Sequence, residues 1–343
     1  MNRRRLLASL AGFSAASCTA ALHPASPALR RLEPSDFGLV LDGIAGAEGL
    51  ASAPNGRLAF STAKAAVGIL EPDGTVRYVG PSIETGGIAF DRQGRVVAAS
   101  VGALRNRPGP LRRIDLVSNT VEVLASELEG RRLVASNCPA VAHDGTIYCS
   151  HSGWSVGNIG TTSAEGFIYA VDTRGSVRIV ARRLRGANGL CIGRGDRHLY
   201  AALTAEGRVM RWEREANGDL VNPAYYGPVL GSVFPNQTAT EIRALDKAAR
   251  GRTGYCDGLA MDEAGNLFVT LPFANRIVAI TPQGNALTLV HDPEGTTIDF
   301  PTNLAWGGKD RRKLFVVSRG SGKIVSAVMP YPGVPGANWP AGQ

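Results

Sequence analysis

The segment Asp257–Thr270 reads DGLAMDEAGNLFVT, and it decides the fold of this chain. An acidic residue and a glycine precede a short apolar stretch, an Asp-x-x-Gly turn follows, and the segment ends on aromatic and β-branched residues. Two short apolar runs joined by such a turn are typical of a β-hairpin. The segment therefore predicts two antiparallel strands, with Asp257 at the start of the first.

The same phrase occurs six times along the chain. In order, the copies begin at Glu48, Gly86, Asn137, Asn188, Asp257 and Thr302. Hairpins that recur at this spacing are the signature of a propeller. Further hairpins lie between the copies, for example at 67–80 and 166–181, so each unit supplies four strands. We predict an all-β fold, a six-bladed β-propeller with four-stranded blades.

The repeats also set the domain boundaries. We expect an export signal at 1–22, a linker at 23–35, the propeller at 36–330 and a C-terminal tail at 331–343. Residues 38–42 have strand character and are expected to pair with the C-terminal strands, which would close the ring and remove an open sheet edge. Residues 236–250 break the pattern and predict a short helix or loop after blade four, with Thr240 as its cap.

The N-terminus has the composition of an export signal. Arg3–Arg5 precede Leu6 and Leu7 and a short apolar run that ends at Leu22. The run is too short for a membrane span. Paired arginines before leucines resemble a twin-arginine signal, and an ordinary secretory signal is the alternative. Cys18 leaves lipid anchoring open. We expect an exported, periplasmic protein with no membrane span.

Charge and cysteine content exclude several classes. The formal net charge is +8, but the basic residues are scattered and no aromatic-interleaved basic stripe occurs, which argues against nucleic-acid binding. The five cysteines form no CxxC pair, so a zinc ribbon or a thioredoxin-like site is not indicated. Buried thiols and disulfides both remain open for them.

The first residues of the repeats are the candidate site. In a propeller, equivalent positions of the innermost strands meet at one end of the central channel. Four of them carry side-chain oxygens: Glu48, Asn137, Asn188 and Asp257. Calcium prefers such hard oxygen donors, whereas zinc prefers His and Cys. Turn formation alone would explain any one of these residues. We predict a divalent-metal site, with Ca²⁺ favoured and Zn²⁺, Mg²⁺ or Mn²⁺ as alternatives.

Several of these segments resemble a known family. Glu48-Gly-Leu, Ser136-Asn-Cys-Pro, Ala187-Asn-Gly-Leu and Cys256–Val269 resemble the gluconolactonase/regucalcin (senescence marker protein) family, and the resemblance covers about 38–330. It implies a six-bladed propeller hydrolase with calcium or a similar ion in the central channel.

The resemblance also implies roles for individual residues. Glu48, Asn188 and Asp257 match metal ligands, and Asn137 matches a position that ligates the metal in some relatives and contacts substrate in others. The metal would polarise the carbonyl of a lactone or related ester, a small-molecule substrate. Asp257 would activate water as general base, or attack directly as in fluorophosphatase-like relatives.

Two positions depart from the family pattern. Ala135 stands where sugar-lactone members often carry Arg, and His151 stands where Asp is frequent. His151 is either a proton shuttle beside Trp154 or a surface-loop histidine. With Asn137, these two residues are the candidate substrate contacts, and the loop 151–165 is a candidate for shaping the entrance.

Two other functions fit the same fold. A lyase or cyclase of the strictosidine-synthase type would have a vestigial metal site, and the four oxygen donors count against it. A non-catalytic binding propeller would not require Glu48 and Asp257 to point into one channel. Metal content and turnover of lactones separate these alternatives from a hydrolase.

Overall fold

The fold is seen in a computed structural model, which describes residues 29–155 and 163–340. Six antiparallel sheets of four strands each form the blades of a propeller, and the described residues contain only two short α-helices. The predicted all-β six-bladed propeller is confirmed. The export signal at 1–22 and the linker as far as residue 28 lie outside the described residues.

The first three blades follow one another along the chain, each from its innermost strand outward. Blade 1 contains β2 (Leu50–Ser52), β3 (Leu58–Phe60), β4 (Val67–Leu70) and β5 (Val76–Val79). Blade 2 contains β6 (Thr85–Phe90), β7 (Val96–Ser100), β8 (Leu111–Ile114) and β9 (Val121–Ala125). Blade 3 contains β12 (Ser136–Val141), β13 (Ile147–His151), β14 (Gly166–Val171) and β15 (Val177–Leu184).

The other three blades complete the ring. Blade 4 contains β16 (Ala187–Ile192), β17 (His198–Leu203), β18 (Arg208–Arg214) and β19 (Leu220–Tyr226). Blade 5 contains β20 (Leu259–Met261), β21 (Leu267–Leu271), β22 (Arg276–Ile280) and β23 (Ala286–His291). Blade 6 contains β24 (Pro301–Gly307), β25 (Lys313–Ser318), β26 (Lys323–Val328) and β1 (Gly38–Leu41).

A few elements stand outside the blades. A two-stranded hairpin, β10 (Glu127–Leu128) with β11 (Arg131–Arg132), joins blades 2 and 3. Short 3-10 helices occupy Pro34–Asp36, Gly102–Arg105, Arg194–Asp196, Thr204–Glu206 and Pro272–Ala274.

The repeated phrase forms the two inner strands of every blade, and in blades 2 and 5 an Asp-x-x-Gly turn joins them. In blade 2 the Oδ1 of Asp91 accepts hydrogen bonds from the backbone N–H groups of Gln93 and Arg95, both at 3.0 Å. Gly94 completes the turn at φ 75°, in the left-handed region that glycine enters without steric cost. The Asp-x-x-Gly pattern therefore fixes the hairpin register.

The N-terminal strand closes the ring as predicted. β1 pairs antiparallel with β26, and Gly38 lies opposite Ser326. This pairing covers the outer edge of blade 6. Part of the expected linker is also packed, because Leu32 is buried and its N–H donates to the carbonyl of Leu289 at 2.6 Å.

The pattern break after blade 4 forms two helices, α1 (Ala239–Ala244) and α2 (Lys247–Gly251). The predicted cap at Thr240 is wrong. Thr238 caps α1 in a capping box: the N–H of Glu241 donates to Thr238 Oγ1 at 3.2 Å, and the N–H of Thr238 donates to Glu241 Oε2 at 2.6 Å.

The C-terminal tail crosses the far end of the channel. The N–H of Val334 donates to the carbonyl of Met261 at 2.9 Å, and Asn338 Nδ2 donates to the carbonyl of Ser52 at 3.1 Å. Trp339 at its end is buried. The tail thus bridges blades 5 and 1 at the end of the channel opposite to the starts of the inner strands.

Candidate active site

The first residues of the motif copies lie around one end of the channel and are linked from blade 3 through blades 4, 5 and 6 to blade 1 by hydrogen bonds; we call this set the hoop. Gly189 N–H donates to the carbonyl of Asp257 at 3.2 Å, and Gly258 N–H donates to the carbonyl of Thr302 at 2.9 Å. The Thr302 hydroxyl donates to the carbonyl of Glu48 at 3.0 Å. These bonds tie blade 4 to blade 5, blade 5 to blade 6, and blade 6 to blade 1.

Blades 3 and 4 join the same hoop. The Ser150 hydroxyl donates to the carbonyl of Asn188 at 2.6 Å and accepts from the N–H of Cys138 at 3.0 Å. The structure therefore brings the backbones of Glu48, Asn137, Asn188 and Asp257 to one end of one channel.

The glycines of the motif permit this close approach. A Cβ on Gly189 would lie 2.2 Å from the carbonyl oxygen of Asp257, and one on Gly49 would lie 2.4 Å from that of Gly86. Such contacts are sterically forbidden. Glycine is therefore needed after Glu48 and after Asn188, where a side chain would block the approach of the next inner strand, whereas Cys138 follows Asn137 in blade 3.

Both carboxylates of the hoop lie in one electrostatic environment. Desolvation and the negative charge of Glu48 raise the pKa of the Asp257 carboxyl well above its ordinary value, and Arg319 opposes this shift. The guanidinium of Arg319 forms an ion pair with the Glu48 carboxylate. One guanidinium thus lies near two carboxyl groups, and the raised pKa favours the neutral form of Asp257.

The two asparagines have defined amide orientations. The Ser152 hydroxyl donates its proton to the carbonyl of Ala187 at 2.8 Å, so it must accept from Asn137 Nδ2 at 2.9 Å. A hydroxyl has only one proton to donate. The amide nitrogen of Asn137 therefore faces Ser152, and its Oδ1 remains available.

Asn188 is oriented in the same way. Thr204 donates its hydroxyl proton to the carbonyl of Cys256 at 2.8 Å and accepts from Asn188 Nδ2 at 3.1 Å. The Oδ1 of Asn188 is thus also left available. Two hydroxyls in different blades therefore orient the two amides in the same way, and each amide oxygen is left available as a ligand for a cation.

This donor set fits a hard divalent cation. Two carboxylates and two amide oxygens supply oxygen ligands only, the chemistry that calcium prefers. Within residues 29–155 and 163–340, no three side chains of the types His, Cys, Asp and Glu gather as a possible metal cluster. Of the neighbouring thiols, Cys138 is buried, and burial raises its pKa to about 12, so it stays protonated.

The structure places His151 in the interior of blade 3. Its ring is fully buried and stacks on Phe167 with centroids 4.5 Å apart, while Nε2 accepts from the N–H groups of Val134 at 3.2 Å and Ala135 at 3.1 Å. Burial lowers its pKa to about 3. The surface-loop interpretation is wrong. A substrate contact stays a prediction that would require the ring to leave this packing.

Trp154 lies beside His151, with ring centroids 4.7 Å apart. The guanidinium of Arg131 lies over the Trp154 ring, 3.9 Å from its centroid. The role of Trp154 in substrate binding stays a prediction. Residues 156–162 of the loop 151–165 lie outside the described residues.

The four described cysteines are unpaired thiols.

Sequence reasoning missed Arg319, Ser152 and Thr204. Ser152 and Thr204 each lie two residues beyond the end of their motif copy, so the Ser or Thr that ends five of the six copies does not mark them. Arg319 follows directly after β25 and contacts Glu48 only because blades 6 and 1 meet. No local pattern gives that contact.

A cavity of about 170 Å³ opens at this end of the channel. It is lined by Glu48, Arg319 and Glu84, together with Arg105 and Arg107. The two last arginines form ion pairs with Glu84 at 3.4 and 3.8 Å. A small, charged cavity thus leads from solvent to the hoop.

Fold and site together define a six-bladed propeller that gathers acidic and amide side chains at one end of its channel. The chain belongs to the SMP-30/gluconolactonase/LRE-like family, whose model matches residues 46–320.

Solved structures share this fold. A gluconolactonase from Xanthomonas campestris has a TM-score of 0.64 at 19% identity, covering 87% of this chain and 89% of that one. The calcium-binding protein regucalcin from Agrobacterium tumefaciens has a TM-score of 0.65 at 17% identity, covering 86% and 94%. Virginiamycin B lyase from Staphylococcus aureus has a TM-score of 0.54 at 12% identity, covering 82% and 80%.

One curated relative matches in sequence. The 6-deoxy-6-sulfogluconolactonase of Pseudomonas putida is 30% identical over 88 residues, which are 26% of this chain and 29% of the relative. The match therefore spans less than a third of that protein. Among the described residues, no helix combines the length and the apolar character needed to cross a bilayer.

Proposed function

We propose that this protein is a lactone hydrolase whose site holds a divalent cation, with calcium favoured, between Glu48, Asn137, Asn188 and Asp257. One observation carries the proposal: four oxygen-bearing side chains start from one backbone hoop, and both amides are held with their oxygens free. Membership of the gluconolactonase-like family and the similarity to the Pseudomonas putida lactonase support the hydrolase class. The regucalcin structure supports the choice of calcium.

A bound divalent cation would polarise the carbonyl of a lactone and stabilise the charge that develops on its oxygen. The chain's own residues do the remaining chemistry. Asp257, whose carboxylate accepts no hydrogen bond from the described residues, takes a proton from the water that attacks the carbonyl carbon. It returns this proton to the ring oxygen when the bond between the carbonyl carbon and that oxygen breaks, which leaves the open hydroxy acid. Glu48 is held by Arg319, and Asn137 and Asn188 are held by Ser152 and Thr204.

The test is metal-dependent turnover in a matched pair of variants. Asp257→Asn keeps the side-chain shape and removes the base, so lactone turnover should fall by roughly 10²- to 10⁴-fold with an unchanged circular-dichroism spectrum. Asp219→Asn, an identical change in an outer turn of blade 4, is the control and should keep turnover. A chelator should abolish the activity of the purified protein, and added Ca²⁺ should restore it.

Turnover near the wild-type level in Asp257→Asn would remove Asp257 as the base. Turnover that resists the chelator would remove the cation from the proposal. Absence of hydrolysis across a panel of lactones and esters, in protein that binds Ca²⁺, would point instead to a lyase or a binding propeller.

We also propose that the protein is exported to the periplasm, on the basis of the arginines and the apolar run within residues 1–22. This segment lies outside the described residues.

A further inference from the structure

Beside the channel mouth lies a second cavity, of about 460 Å³, for which the proposed reaction has no use. Its walls come from α1, α2, the 3-10 helix Pro272–Ala274 and the segment 294–300. Three arginines line it: Arg243, Arg250 and Arg319. The helices that interrupt the blade pattern therefore supply two of its three positive charges.

These charges are not balanced within the cavity. Arg243 and Arg250 form no ion pair with any described residue, and Arg250 Nη1 donates only to the carbonyl of Arg243 at 3.4 Å. Of the two carboxylates in the walls, Glu294 is paired with Lys247. Asp299 alone faces both free arginines, so the cavity keeps an excess of positive charge.

Aromatic residues hold one of the arginines in place. The guanidinium of Arg243 lies 4.4 Å from the ring centroid of Phe300, and Phe300 packs edge-on against Phe273 with centroids 5.1 Å apart. Phe300 has a φ of 49°, which is strained for an aromatic residue. Its N–H donates to Asn275 Oδ1 at 2.9 Å, which holds the strained backbone and keeps the ring in the wall.

Arg319 connects this cavity to the hoop. Its side chain lines both cavities, and its guanidinium pairs with Glu48. Its charge also acts on Asp257. Arg319 is thus a shared wall of the cavity at Glu48 and of the cavity at Arg243 and Arg250.

We propose that this cavity is a subsite for an anionic substituent, so that the substrates are lactones that carry a carboxylate, sulfonate or phosphate away from the ring carbonyl. Guanidinium groups bind such oxyanions through paired, charge-assisted hydrogen bonds. The inference rests on the proposed lactone hydrolase, because it assigns a substrate class to the same site.

Binding of ring-opened compounds tests the subsite without catalysis. 6-Phosphogluconate and gluconate differ in the phosphate group, and calorimetry gives the affinity of each. The wild-type protein should bind 6-phosphogluconate at least tenfold more tightly. Arg243→Gln/Arg250→Gln should lose at least tenfold in that affinity, and each single variant should lose part of it.

A matched control separates local from overall charge. Arg174→Gln/Arg182→Gln removes the same charge from the outer part of blade 3, where Arg174 pairs with Asp172 and Arg182 with Glu129. This control should keep the tenfold preference. Equal affinities for the two compounds in the wild-type protein, or an equal loss in the two double variants, would overturn the subsite.

Turnover distinguishes this inference from the proposed function. The ratio of kcat/KM for 6-phosphogluconolactone to that for gluconolactone should fall at least tenfold in Arg243→Gln/Arg250→Gln. Hydrolysis of both lactones with an unchanged ratio would overturn the subsite alone. Selective loss of 6-phosphogluconate binding in a protein that hydrolyses no lactone would support the subsite and remove the hydrolase.

Discussion

Single hydroxyl groups determine how the asparagines of the hoop present their oxygens. The proton of Ser152 goes to the carbonyl of Ala187 and that of Thr204 to the carbonyl of Cys256, so each hydroxyl can only accept from its asparagine. Without the hydroxyl, either amide could rotate and present its nitrogen to the channel. Ser152 and Thr204 therefore act as positioning residues.

Removing one of these hydroxyls should weaken cation binding. Thr204→Val keeps the shape and loses the acceptor for Asn188, so the affinity for Ca²⁺ or Mn²⁺ should fall by about 10- to 100-fold in calorimetry. Thr204→Ser keeps the hydroxyl and serves as the control, with an affinity near that of the wild type. Equal affinities in the valine and serine variants would show that Thr204 does not orient Asn188.

His151 should make the fold sensitive to acid. Its pKa in the folded protein is lowered to about 3 by burial, whereas the ordinary value is 6.5. The unfolded chain therefore takes up a proton first as the pH falls. The stability from a neutral His151 is complete above pH 6.5 and is lost towards pH 3, by at most about 1.4 kcal/mol per pH unit.

Urea unfolding between pH 7 and pH 4 checks this prediction. His151→Gln keeps an oxygen that can accept from the N–H groups of Val134 and Ala135 but does not titrate in this range. The free energy of unfolding should depend less steeply on pH in the variant than in the wild type. Parallel pH profiles would contradict the assignment, and retained turnover in the variant would exclude His151 as a proton shuttle.

Part of the site could be predicted at the scale of residues. The four oxygen donors share one offset in the repeat, and the propeller brings equal offsets together. The ion pair between Arg319 and Glu48 has no such pattern, because it joins residues 271 positions apart through the meeting of blades 6 and 1. His151 was misjudged because its position at the end of a strand resembles a loop in sequence.

At the scale of elements, the closing strand β1 holds the first and last parts of the ring together. It pairs with β26, and Val328 at the end of β26 stays exposed. Val40 and Leu41 of β1 also pack against the core between blades 6 and 1. The strand therefore supplies both backbone pairing and apolar burial.

Loss of β1 should destabilise the propeller. A truncated variant that begins at Gly43 lacks β1. The control is a truncated variant that begins at Gly38, which keeps β1 and has the same sequence from residue 43 onward. The shorter chain should lose about 2–4 kcal/mol of unfolding free energy, from the burial of its apolar side chains alone. It should also scatter more light as its concentration rises, because β26 becomes an open edge. Equal unfolding curves would contradict this role.

The boundaries of the elements were less predictable than their existence. The hairpins follow from turns rich in Asp, Asn and Gly, such as Asp91–Gly94 and Asp262–Gly265, which are local signals. The start of α1 was placed at Thr240, yet Thr238 and Glu241 form the Thr-x-x-Glu capping box that the sequence itself displays. The contribution of α1 and α2 to a cavity beside the mouth depends on the packing of the helices over blades 5 and 6 and has no signature in sequence.

For the whole molecule, the route of export is testable from the first residues. Replacement of Arg3, Arg4 and Arg5 by lysine keeps the positive charge. A twin-arginine pathway requires arginine, so the variant should accumulate as precursor in the cytoplasm while the wild type reaches the periplasm. Fractionation of bacterial cells followed by immunoblotting measures this. Equal periplasmic amounts would indicate an ordinary secretory signal, which accepts lysine.

The tail that crosses the far end of the channel has a consequence for traffic through the molecule. Val334 and Asn338 anchor the tail on blades 5 and 1, and the N–H of Gly333 donates to the carbonyl of Arg311 in blade 6. The same tail walls a cavity of about 180 Å³ that lies among the inner strands at that end. A shift of the tail would therefore widen or narrow access to the channel on the side away from Glu48 and Arg319.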